Sequence, residues 1–172
     1  MSSKEPDGQG LNPEAFVSGV AYPTPFREYA VALCGQASRH ICVLSPQLDH
    51  TVFDSAELSE ALSALARRSR QTEVRILVQD PREMVSRGHR LLQLARRLPS
   101  TIKLQVLAEH PDWQGQTVVI KDRNGVLYQP QDGDNSAFFE PDSRASTQRH
   151  IELFDALWRY SVQDPQLRAL HL

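Results

Sequence analysis

The side chains best equipped for chemistry stand where short apolar runs end. Ser45 and Gln47 follow the run His40–Leu44, and Asp80 and Arg82 follow Glu73–Val78. In an open parallel sheet the ligand site lies beyond the carboxyl ends of the strands, which is where such residues would sit. Arg87 lies on the next helical stretch. Counted at about 100° per residue, it falls roughly 40° from Leu91, on the shoulder of the apolar stripe. A buried, unpaired guanidinium costs several kcal/mol, so Arg87 either reaches the rim, pairs with a carboxylate such as Asp80 or Asp122, or holds a bound anion. The expected ligand-binding set is therefore Arg82 and Arg87 as donors, Asp80 and Asp122 as their orienting partners, and Tyr128 lining the same pocket.

A second tier consists of His89, Arg90 and His150. On the same angular count His89 and Arg90 point away from the core, while His150 is expected at the edge of the core with one hydrogen bond. Together His89, His150 and Asp122 are the residues from which a rebuilt phosphodiesterase or nuclease site could be assembled. Sixteen of the nineteen basic residues are arginine. Nine of these lie between Arg67 and Arg97. Arginine suits planar recognition of phosphate or carboxylate, so this stretch is either a solvated surface or a face for a nucleic-acid backbone. No two histidines stand at metal-ligand spacing, and Cys34 and Cys42 read as ordinary buried thiols. No glycine-rich phosphate loop or nucleophile elbow is present, and neither a metal nor a cofactor is expected.

These residues need a scaffold, and the chain can supply one. It has 172 residues, 40% hydrophobic and 23% charged, with a formal charge of −2. That balance excludes a protein that coats nucleic acid by bulk charge. The apolar runs are far shorter than the ~18 residues of a membrane helix, and Met1–Gly10 lacks the apolar stretch of a secretory signal, so a cytoplasmic location without membrane insertion is expected. Residues 1–13 read as a solvated tail and 14–172 as one domain. Helical periodicity covers Pro25–Ala37, a stretch from Asp54 with Glu57 as a capping box, Met84–Leu98, and Asp142–Ser161. Strands are expected at His40–Leu44, Glu73–Val78, Ile102–Leu107, Thr117–Lys121 and Val126–Gln129, the last two joined by an Asn-Gly turn. The fold class is α/β, with a mixed, mostly parallel sheet flanked by helices.

The order strand–helix–strand–helix–strand–hairpin, closing in a helix with a late tryptophan (FDALWRYS, Phe154–Ser161), resembles one half of a phospholipase D-type fold over roughly residues 14–164. In that superfamily the hairpin corresponding to Thr117–Gln129 carries a His-x-Lys-x4-Asp motif, whose histidine attacks phosphorus and whose lysine binds phosphoryl oxygens. Anchored on Asp122, the histidine position here is Gly115 and the lysine position is Thr117. The Gly-Ser-x-Asn segment that follows in the superfamily is replaced by VLYQPQ. The stretches RGHRLLQLARRLPS, KDRNGVLYQP and FDALWRYSVQDPQLRALHL resemble, more closely, an uncharacterised bacterial family of phospholipase D-like domains of unknown function. The resemblance implies a fold without its catalytic machinery, a module that binds an anionic ligand or a protein partner. Because single-motif members of the superfamily pair two halves, it also implies a homodimer, an interface that Trp113 and Tyr22 would fit if they were exposed.

Overall fold

The computed structural model describes residues 11–131 and 136–168. Of the expected tail, residues 1–10 lie outside this range, as does most of the Asp- and Gly-rich loop after Pro130. Pro13 is tied down, its carbonyl accepting a 2.8 Å hydrogen bond from Gln36 Nε2.

Among the described residues, seven strands form one sheet: β1 (Val17–Ser18), β2 (His40–Ser45), β3 (Glu73–Val78), β4 (Ile102–Val106), β5 (Thr117–Lys121), β6 (Gly125–Gln129) and β7 (Phe138–Glu140), in the order β1-β7-β6-β5-β2-β3-β4. The sheet is mixed and flanked by helices, as expected. Its share of parallel pairing is smaller than expected: β2, β3 and β4 pair in parallel, and every other neighbouring pair is antiparallel. The hairpin does not extend the sheet beyond β4. It returns to the other side of β2 and carries β7 and β1 with it. The crossover helices account for only β2, β3 and β4.

Among the described residues, seven helices complete the fold: α1 (Phe26–Gly35), α2 (His50–Phe53), α3 (Ala56–Arg68), α4 (Arg82–Arg87), α5 (Arg90–Arg97), α6 (Arg144–Tyr160) and α7 (Pro165–Arg168). One sheet face packs Ile41, Val43, Val74, Ile76, Val119 and Leu127 against α1, α3 and α5. The other packs Leu44, Leu77, Val118 and Ile120 against Phe154 and Leu157 of α6. Period-two alternation distributes each strand between two cores, which explains why the strands read as nearly continuous apolar runs.

Three local expectations change. The single helix Met84–Leu98 is broken into α4 and α5 at Gly88, whose φ of 82° and ψ of 151° lie where a side chain is poorly tolerated. α3 is capped by Ser55, which accepts from Leu58 N–H at 3.1 Å, and not by Asp54. The hairpin turn is the three-residue loop Asp122–Asn124, with the positive φ (51°) on Asp122 and not at Asn-Gly. Among the described residues, no helix is long and apolar enough to cross a membrane.

Candidate functional site

β2 is the strand at which the chain changes direction across the sheet: β3 and β4 build to one side, β5 and β6 to the other. A crevice is expected at the carboxyl end of such a strand. A cavity of about 310 Å³ opens there, lined by Ser45, Pro46 and Gln47 after β2, Gly115 and Thr117 at the start of β5, Gln129–Gln131 at the end of β6, and Tyr22 and Asp49. Cavities of about 420 and 500 Å³ lie elsewhere, one along the β4 edge and one beside α1. Neither touches the strand ends at the change of direction.

The walls are polar but tightly held. Ser45 is buried and its Oγ accepts from Leu48 N–H at 3.0 Å. Asp49 caps α2, accepting from Thr51 N–H and Thr51 Oγ through Oδ1, while Oδ2 accepts from the Tyr22 hydroxyl at 3.1 Å. Burial, then the Asp49 charge, push the Tyr22 phenol above its ordinary range, so it stays a neutral donor. Thr117 and Gln129 are cross-strand partners, both buried. Gln129 Nε2 donates to the Pro130 carbonyl at 3.1 Å, and its Oε1 accepts no hydrogen bond. Gly115 has a φ of +92°, and a Cβ placed on it would stand 2.8 Å from Gln131 Cδ.

Of the residues expected at the site, the structure brings some to this end of the sheet and sends others away. Asp80 stands beside the cavity wall, its N–H donating to Pro46 O at 3.0 Å. Arg82 returns to Asp80 in a bidentate pair at 3.0 and 2.8 Å, and this guanidinium holds the Asp80 carboxyl down at about 2. Arg87 pairs with Glu83 at 3.0 Å, one turn earlier on α4, and with neither Asp80 nor Asp122. Because Gly88 interrupts the helix, an angle counted through it from Leu91 does not describe Arg87, which is exposed.

Asp122 lies at the opposite end of the sheet. Its carboxylate accepts from the amides of Ser38, Arg39 and His40 at 2.9, 2.9 and 3.0 Å, fixing the entry into β2. Burial pushes its pKa up, but these three donors outweigh it and hold the carboxyl below its usual value. Tyr128 points to the other sheet face, against Phe138 and His150, and does not line the cavity.

His89 is buried, not turned outward. It caps α5, with Nδ1 accepting from Leu91 N–H at 3.1 Å and Nε2 donating to Leu48 O at 2.9 Å. Desolvation lowers its pKa, which keeps the ring neutral. Arg90 is exposed and reaches Asp54, whose carboxylate also accepts the Arg90 N–H at 3.0 Å. His150 lies on the α6 side of the sheet, and its expected hydrogen bond is not found: its Nε2 is buried without a partner, and desolvation drops its pKa to about 4. His89, His150 and Asp122 therefore occupy two sheet faces and two sheet ends and cannot act on one substrate. Trp113, which would fit a dimer interface only if exposed, is buried and donates from Nε1 to Gln116 O at 3.1 Å.

The arginine-rich stretch does not form a single face either. Arg75 lies across the rings of Phe154 and Trp158 on the α6 side and pairs with Asp155. Arg68 holds Ala37 O near the start of β2, and Arg96 holds Leu167 O and Gln166 O along the β4 edge. Cys34 and Cys42 are buried thiols, as expected, with burial pushing their pKa values up to about 12 and about 11.

Sequence reasoning placed Ser45 and Gln47 at the strand ends but missed Tyr22, Asp49, Gln129 and Gln131. Of these, only Gln129 carried a signal, as the last residue of an expected strand. No group of three or more His, Cys, Asp or Glu among the described residues could hold a metal ion.

The fold is shared with solved structures of low sequence identity. The archaeal chromatin protein TrmBL2, described as showing a novel mode of DNA binding, superimposes with a TM-score of 0.60 at 14% identity; the match covers 87% of this chain and 53% of that one, so the chain spans about half its length. Nuc from Salmonella typhimurium, a phospholipase D family member, matches with a TM-score of 0.58 at 16% identity over 87% of this chain and 99% of its own. NucT from Helicobacter pylori matches with a TM-score of 0.55 at 11% identity and the same coverage. No curated protein matches the sequence. The α/β scaffold is thus phospholipase D-like. Residues 22–170 match one further family, and the chain belongs to it: the family described as Domain of unknown function (DUF7931).

Proposed function

We propose that this chain is a non-catalytic phospholipase D-like module that binds a ligand or protein partner at the strand-end cavity. The observation that carries this reading is the backbone at Gly115. A nucleophilic histidine at that position would need both a left-handed φ and the space that the Gln131 side chain occupies. Thr117, at the corresponding lysine position, has no charge with which to hold phosphoryl oxygens. Among the described residues lining the cavity there is no lysine, arginine or histidine.

An anionic ligand would have to draw on Arg82 and Arg87 instead, and each already holds a carboxylate that the anion must displace. Arg75 engaged on the α6 side, and Arg68 and Arg96 spent on backbone carbonyls at separate places, likewise favour a solvated surface over a nucleic-acid face. The test is hydrolysis of bis(p-nitrophenyl) phosphate and of a single-stranded oligonucleotide by the purified chain. No turnover above background is expected. Turnover that survives repurification and is lost in a cavity variant would refute the proposal.

A further inference from the structure

We infer that the strand-end cavity is built to take a primary ammonium or guanidinium group, with Asp49 as its counter-charge and Gln129 Oε1 and Thr117 Oγ1 as acceptors. This rests on the non-catalytic reading, because a phosphoryl group in the same cavity would meet Asp49 with no cation beside it. Among the described residues of the lining, Asp49 is the only charged one. A carboxylate oxygen has two acceptor sites. Asp49 Oδ2 uses one of them for the Tyr22 hydroxyl and keeps the other.

The second, independent observation is Gln129. The residue is 93% buried, being 7% exposed. Donation from its Nε2 to the Pro130 carbonyl fixes which way the amide faces, leaving Oε1 as an acceptor without a donor. Such a group carries a standing desolvation cost, which an incoming N–H would relieve. Opposite it in the ladder stands Thr117, whose residue is 6% exposed and whose hydroxyl can accept a further N–H. The inventory is therefore one negative charge and neutral acceptors, which selects a cation that carries N–H donors over a quaternary one. At about 310 Å³ the space suits a short ligand or a single side chain.

The experiment is titration of the purified chain, followed by calorimetry and by amide NMR shifts. The probes are n-butylammonium, methylguanidinium and N-acetyl-lysine methylamide, with tetramethylammonium and inorganic phosphate as controls. At least one N–H-bearing cation is expected to bind, shifting amides of residues 45–49, 117 and 129. Asp49→Asn, whose carbonyl oxygen keeps the α2 cap while its NH2 group can donate to the Tyr22 hydroxyl, removes the charge and should weaken binding at least about tenfold. Should Asp49→Asn lose the fold, Thr117→Val carries the test and should weaken binding several-fold. Tighter binding of N-acetyl-lysine methylamide than of the free amines points to a protein side chain as the source, and the reverse to a small amine. Either order supports the inference. Phosphate or tetramethylammonium binding in preference, binding that neither variant weakens, or no binding of any cation overturns it. Phosphodiester turnover is a separate readout that would overturn the non-catalytic reading itself.

Discussion

Replacing Asp122 by asparagine isolates what its carboxylate does. The three amides it serves follow one another in the chain, with Arg39 and His40 on Oδ1 and Ser38 on Oδ2. Asparagine tolerates the positive φ of 51° well, so the backbone of the hairpin turn is not strained by the change. Its carbonyl can still serve two amides, but its NH2 group then faces the third. The loss is the charge behind three bonds plus one bond outright. Hydrogen bonds to a charged group contribute about 1.5–3 kcal/mol each, and here water can reach the exposed Ser38–His40 segment and replace part of that. A net cost of about 2–3 kcal/mol follows, or roughly 4–12 °C in Tm for a domain of this size.

The pH dependence has a definite sign. The folded pKa is depressed, so the contribution is fully present above the unfolded value of about 4 and is lost as pH falls through the folded one. Thermal melts of both proteins should show a gap at neutral pH that narrows on acidification below about pH 4. Equal melting temperatures at neutral pH, or a gap that stays constant on acidification, would refute the assignment of Asp122 as the clasp on β2.

Other outcomes follow from the same contacts. The double variant Gly115→His, Thr117→Lys should gain no phosphodiesterase activity and should melt below the parent, because residue 115 must keep φ near +92° under Gln131; measurable turnover would count against the non-catalytic reading. His150→Phe removes a buried nitrogen that has no partner among Tyr128 and Phe138. Since the folded pKa of His150, about 4, lies below the ordinary 6.5, the parent loses stability as pH falls from 6.5 towards 4. The variant's advantage should therefore grow across that window, as read by melts at several pH values. His89→Ala leaves Leu48 C=O and Leu91 N–H without their side-chain partner and should cost about 2–4 kcal/mol by chemical denaturation. Ser55→Ala should cost about 1 kcal/mol by loss of the α3 cap, measurable in the same way.

How much of this was legible in the residues can be read from particular elements. β2 to β6, α1 and α6 follow apolar periodicity, and the structure places them within a few residues of expectation. These are long segments whose burial on one or both faces leaves a local mark. β1 and α7 leave none, being two and four residues long. The Gly88 break was visible as a glycine, but the apolar stripe runs straight through it. Only the need to turn His89 inward onto Leu48 O makes the break necessary. That one interruption reverses the positions expected of Arg87 and His89.

By itself the sequence determined the alternation of strands and helices, the two buried thiols, and the strand ends at which Ser45 and Gln47 stand. All of these depend on residue identity or on neighbours within a turn or two. Only the tertiary structure decided that Asp122 serves the far end of the sheet, that Tyr128 and His150 face away from the cavity, and that Asp49 and Tyr22 meet Gln129 across it. Those placements depend on the hairpin returning to β2 and not to β4. That choice is made by which faces bury together over a separation of some 80 residues, and no local pattern in the chain records it.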